Sequence, residues 1–352
     1  TPALAADAGN ARAAAARAIA TYVQAGGALI DALTQVARHA DRARWLDHAA
    51  GRAAWQAFLD RLAAVDRDLA VVAADPGFAL ELCLACWERD WNHSGEIDDR
   101  DRRLLELEVD ARGERIPRDD PRRRPTFRLD TGDAEWARAM IAFQRAAVEL
   151  VLAYRWSALD ELFGQGEPHR ITIALGEPAR VGRARALVLD GLGHADRCRA
   201  AYLAETDDDR EWVPSPRQHS HPIPLDMDAG IYQTWAAVTD DVRGLLTSAR
   251  GLSLRELASL IDPRAALLAP DAYIDVGAMF AEPTDLVIQL DDLERGVSPA
   301  AIERVLRGLL GHGFRAKMTA SPLVGRLHAM KTQLDRGEDT LEHKLRYLLW
   351  LN

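Results

Sequence analysis

Lysine is almost missing from this chain: Lys317, Lys331 and Lys344 are the only three among 44 basic residues. Fifty-four acidic residues outnumber the basic ones, which leaves a formal net charge of −10 and a pI near 5.5. A nucleic-acid binder draws much of its affinity from basic side chains meeting phosphates, so this balance argues against that class. An acidic surface repels polyphosphates and anionic lipids and tolerates divalent cations. The preference for arginine, with the many alanines, matches the codon bias of a GC-rich bacterial genome.

Long apolar runs are also missing. No stretch reaches the roughly 18 apolar residues that a spanning helix needs, so no transmembrane segment is expected. Cysteine is scarce, and the odd count of Cys83, Cys86 and Cys198 does not call for a disulfide scaffold in a chain this long. Cys83 and Cys86 form a C-x-x-C in the apolar run Leu80-Glu81-Leu82-Cys83-Leu84-Ala85-Cys86-Trp87. With no second pair nearby, they read as two small buried apolar residues on a helix over 78–89, in preference to a redox pair or half a zinc site. The H-E-x-x-H, G-x-S-x-G, Walker A and G-x-G-x-x-G patterns are absent. The chain opens Thr1-Pro2-Ala3 without methionine, so the expectation is a processed or truncated form whose signal or lipid-attachment segment lies upstream.

What is present reads mainly as helix. Hydrophobic residues make up 48% and charged residues 28%, a globular composition. Apolar residues recur at helical spacing through 3–75, with breaks expected at Gly26-Gly27 and Gly51. Asp130-Thr131-Gly132-Asp133 supplies capping side chains for a long buried helix to about residue 162. Residues 170–204 read as helix, with Ile171-Thr172-Ile173 as an alternative opening strand. Helices are expected again over 229–249, 254–261, 299–310 and 322–351, and 273–290 is open between short strands and irregular helix. Residues 109–117 read as a small turn or hairpin, and Arg122-Arg123-Arg124 as a solvated loop. The fold class is mainly α, a multi-helix globular protein with little β structure. Pro214, Pro216, Pro222 and Pro224 mark 205–225 as a linker between a helical domain, 1–204, and a second helical region, 226–352, that can pack on it as one unit.

One segment carries a chemical pattern: Asp90-Trp91-Asn92-His93-Ser94-Gly95-Glu96-Ile97-Asp98-Asp99-Arg100-Asp101. Side-chain oxygens fall at its first, third and fifth positions (Asp90, Asn92, Ser94), glycine at the sixth, Asp98 at the ninth and Asp101 at the twelfth. A hard cation that takes six to eight oxygens needs alternate residues of a tight turn to point oxygen inward, and glycine lets the backbone reverse with positive φ. The segment resembles an EF-hand calcium loop. That resemblance implies a helix–loop–helix in which Asp90, Asn92, Ser94, the Glu96 carbonyl, Asp98 and Asp101 hold Ca2+, with Ile97 as the apolar anchor to the core. Closing with aspartate, one methylene shorter than glutamate, weakens the site and narrows its preference over Mg2+. Arg89, just before the loop, stands where an apolar residue is common. No second hand follows, so a structural clamp of roughly micromolar to millimolar affinity is expected in preference to an opening sensor.

The functional expectation is a calcium-binding extracytoplasmic bacterial protein, periplasmic or extracellular, lipid-anchored through an upstream segment. Its role would be binding or structural in the cell envelope, with a protein or envelope partner. The alternative is a calcium-stabilised hydrolase joining Glu205, Asp226 and Asp228 with His219 or His221.

Overall fold

The computed structural model of the chain describes residues 9–334 apart from 44, 88–89, 91–94, 100, 102–105, 111–113, 164–169, 209, 224–226, 262–264 and 290–298. The framework is four long helices packed in succession: α1 (Ala11–Ala43) on α2 (His48–Ala73), α2 on α3 (Thr131–Ala153), and α3 on α4 (Pro178–Ala204). Leu59, Leu62, Val65 and Val72 give α2 one apolar face. Against it α1 buries Ala14, Ala15 and Ala18, whose small side chains let the helix axes approach. Gly26-Gly27 and Gly51 do not break these helices, contrary to expectation; the break lies between Ala43 and His48, where Asp47 accepts the Ala50 N–H. A helical glycine costs only about 1 kcal/mol relative to alanine, which a shared apolar face outweighs.

The arginine bias has a structural use. Asp68 on α2 is 4% exposed and is gripped by Arg17 of α1. Asp66 takes Arg138 and Arg145 of α3, and Glu149 of α3 takes Arg180 and Arg183 of α4. Guanidinium forks match carboxylates in a way that a lysine ammonium does not, so acids between helices are met from two sides.

The second half adds α5 (Ala229–Leu246), α6 (Leu254–Ile261), α7 (Ala265–Leu268), α8 (Val276–Ala281), α9 (Pro299–Leu310) and α10 (Leu323–Leu334). Three small antiparallel groups of strands tie these helices in. They are β1 (Leu80–Leu82) with β2 (Phe127–Leu129); β3 (Tyr154–Arg155), β4 (Arg170–Leu175) and β7 (Leu286–Gln289); and β5 (Leu252–Ser253), β6 (Tyr273–Ile274) and β8 (Phe314–Arg315). The fold is therefore mainly α, as the periodicity implied. Among the described residues no helix is long and apolar enough to cross a membrane.

One helix boundary and the reading of one segment differ from expectation. The helix from Thr131 ends at Ala153, not near 162, because the Ala153 carbonyl accepts the Gly176 and Glu177 N–H groups and the chain turns into β3. Residues 170–175 form the strand offered by Ile171-Thr172-Ile173, and 273–290 holds both strand and short helix. The proline-rich segment 205–225 is not a free tether: Trp212, Val213 and Ile223 are buried in one cluster with Cys198, Tyr202, Ile231 and Tyr232. Pro216 lies in a turn, while Trp212, Val213 and Ile223 join the core shared by α4 and α5. Of the helix expected over 322–351, the part after Leu334 lies outside the described residues.

Candidate functional site

The approach to the 90–101 loop is not the expected helix. Leu80 and Leu82 of β1 pair with Leu129 and Phe127 of β2, and a 3-10 turn follows at Leu84–Cys86. Cys83 and Cys86 form a disulfide, which corrects their reading as two buried apolar residues on a helix. The period-two repeat of Leu80, Leu82 and Leu84 carried the strand signal, and a helical period accommodates it too. The helix–loop–helix therefore lacks an entering α-helix over 80–87.

Within the loop, Gly95 adopts φ +94° and donates its N–H to Asp90 Oδ2 at 2.7 Å. That curl brings position six back over position one. At the exit, the Asp98 N–H donates to Asp101 Oδ2 (3.0 Å) and the Asp101 N–H to Asp98 Oδ1 (3.3 Å), a reciprocal cap at the start of a helical turn. Asp101 is buried, whereas Ile97 is 38% exposed and does not anchor the loop in the core. Asn92 and Ser94, two of the six expected ligands, lie outside the described residues. Among the described residues, no three His, Cys, Asp or Glu side chains converge closely enough to hold a metal ion.

Beyond the loop, Glu106 and Leu107 are buried and non-helical; residues 102–105, where the resemblance implies the exiting helix, lie outside the described residues. Glu106 receives Arg123 at 3.1 Å and Arg124 at 2.9 Å, so two of the three arginines clamp a buried acid, while Arg122 stays exposed on Asp120 as a solvated loop residue. The turn or hairpin of 109–117 is present as an antiparallel bridge between Val109 and Arg115.

The acids and histidines considered for a hydrolase are engaged separately. Asp228 caps α5 through the Ile231 N–H, and His221 Nδ1 contacts the Ile223 carbonyl at 2.9 Å. The His219 backbone N–H donates to Asp208, and Asp226 lies outside the described residues.

Glu205 belongs instead to a buried carboxylate cluster that sequence reasoning missed. Asp130 and Asp133 open α3 as a capping box, and Tyr202 of α4 donates its hydroxyl to Asp133 Oδ1 at 2.7 Å. Burial, then the Asp130 charge, raises Asp133 to about 7 against the Tyr202 hydrogen bond, which lowers it. Burial and a hydrogen bond with Asp130 raise Glu205 to about 7. Glu211 is 1% exposed, and burial followed by the charges of Asp133 and Asp130 raises it to about 8. Glu211 Oε1 has no hydrogen-bond partner among the described residues, and Arg210 before it sits at φ +53°. The D-x-x-D spacing at 130–133 was visible as a cap, but nothing in the sequence placed Glu205 and Glu211 beside it.

The chain matches no protein-family model, no curated protein and no solved structure. The functional reading therefore rests on its own residues.

Proposed function

We propose that residues 90–101 form a structural calcium clamp in an extracytoplasmic bacterial protein with a binding or scaffold role in the cell envelope. The observation that carries the reading is the Gly95 N–H on Asp90 Oδ2, with Gly95 at positive φ. This curl folds the sixth position back onto the first, the reversal that a twelve-residue ion loop requires. Asp90, Asn92, Ser94, the Glu96 carbonyl, Asp98 and Asp101 would hold the ion. Bound there, calcium neutralises clustered carboxylates and ties the Cys83–Cys86 turn to the helical turn at Asp99 and Asp101. The Asp98–Asp101 cap supports the reading by fixing both closing acids on one turn.

Two features support the location. A disulfide between Cys83 and Cys86 persists in an oxidising compartment. A single hand closed by aspartate binds weakly and fills where calcium is plentiful.

Terbium, a luminescent stand-in for calcium, tests the site, because Trp87 and Trp91 flank its ligands in sequence. Tryptophan excitation should produce terbium emission that saturates with one ion per chain, is displaced by calcium and disappears in Asp90→Ala. Emission that is absent, or equal in Asp90→Ala, would remove the assignment.

A further inference from the structure

A cavity of about 590 Å3 lies where the start of α2, the end of α3 with β3, and the start of α4 meet. Cavities that take small molecules run from about 300 to 1,000 Å3. It is far in sequence from the 90–101 loop, and no part of the calcium reading uses it. Its walls include Trp55, Tyr154 and Trp156.

These aromatic walls are held before any ligand arrives. Trp156 donates its indole N–H to the Val151 carbonyl at 2.8 Å, and Tyr154 donates its hydroxyl to the Thr284 carbonyl at 3.3 Å. Trp55 is braced edge-on by Phe58, with ring centroids 6.3 Å apart. Rings fixed in this way lose little conformational entropy on binding a flat apolar partner.

The charges around the cavity decide what polar group such a partner carries. His48 is matched by Asp160 at 3.0 Å and Arg52 by Glu177, while Asp47 keeps its charge and caps α2 through the Ala50 N–H. The Arg155 side chain, on a strand residue paired with Ala174, has no hydrogen bond or ion pair with another described residue. Its position is nevertheless set, because its side chain folds over Gly176, where a Cβ would stand 3.0 Å from both Arg155 Cγ and Nε. Among the described residues, the cavity therefore offers one guanidinium without a side-chain partner, at the edge of an aromatic chamber. A guanidinium prefers a planar anion that it can grip with two parallel N–H groups, which a carboxylate provides.

We infer that this cavity binds an aromatic carboxylic acid, with the carboxylate on Arg155 and the ring system between Trp55, Tyr154 and Trp156. The probe is 2-naphthoate, titrated calorimetrically into the full chain beside its neutral isostere 2-naphthamide. Saturable binding of one naphthoate per chain is expected, with the amide weaker by about tenfold or more, as for loss of a charge-assisted hydrogen bond. Arg155→Met should weaken naphthoate by a similar factor with an unchanged melting temperature, since the side chain is exposed. Trp55→Ala should weaken acid and amide alike. Lack of saturation, equal affinity for acid and amide, or full affinity in Arg155→Met would each overturn the proposal.

Discussion

The hydroxyl of Tyr202 donates to Asp133 Oδ1 at 2.7 Å inside the core, and Gly132 between the two capping acids makes this approach feasible. A Cβ on Gly132 would stand 2.8 Å from the Tyr202 ring. The contact joins the first turn of α3 to the last turns of α4 and places a carboxylate where water cannot solvate it.

That placement makes stability depend on pH in a defined direction. Asp133 and Glu205 titrate at about 7 and Glu211 at about 8 in the fold, but near 4 in the unfolded chain. Between those limits the folded state holds more protons, so stability falls as pH rises, by at most about 1.4 kcal/mol per pH unit for buried Asp133 and Glu211 and by less for partly exposed Glu205. Their contribution is complete below about pH 4 and gone above about pH 8. Urea melts at pH 5.5 and 7.5 should show lower stability at the higher pH, and Glu211→Gln should flatten the difference. A rise in stability across that interval would contradict the assignment.

The contact between α3 and α4 predicts opposite outcomes for two glycines on one helix. A Cβ on Gly191 would come 2.5 Å from the Phe143 ring, whereas one on Gly182 meets nothing within 4 Å. Gly191→Ala should therefore cost about 1–3 kcal/mol through overpacking. Gly182→Ala should gain about 0.5–1 kcal/mol from helix propensity. Chemical denaturation of the two variants measures both signs.

Glu149 is 6% exposed and receives Arg180 and Arg183 at 2.9 and 3.0 Å. Replacing it with alanine removes the carboxylate that Arg183 holds and one of three partners of Arg180, which keeps Glu177 and Gln56. A loss of about 1–3 kcal/mol is expected by urea denaturation. A neutral outcome would mean that these arginines are solvated in the native state.

Thiol counting tests the redox assignment. Cys198 is fully buried, and Cys83 and Cys86 are joined, so the native unreduced protein should not react with a maleimide. The denatured unreduced chain should take one label, and three labels would contradict the disulfide.

Local signals were legible in the sequence where a single element could satisfy them. The 3.6-residue period of Leu59, Leu62 and Val65 and the Asp130–Asp133 cap gave the helical framework directly. Features set by distant partners were not legible. Leu80-Glu81-Leu82 becomes a strand only because Phe127–Leu129 pairs with it, and the prolines of 205–225 concealed Trp212 and Ile223, whose burial depends on α4 and α5. At the loop, glycine at the sixth position foretold the positive φ, but neither the Asp98–Asp101 cap nor the exposure of Ile97 followed from sequence position. The Glu211 environment joins Asp130 and Asp133 with Glu205 across more than seventy residues, which no short spacing encodes.

The most direct test of the calcium clamp is thermal melting of the full chain with and without millimolar calcium, repeated on Asp90→Ala. An ion that binds only the folded state at about a hundredfold over its Kd adds about 2.7 kcal/mol, a rise on the order of 5 °C. The account predicts that rise for the native sequence and none for Asp90→Ala. Melting curves that superimpose with and without calcium for the native sequence would contradict it.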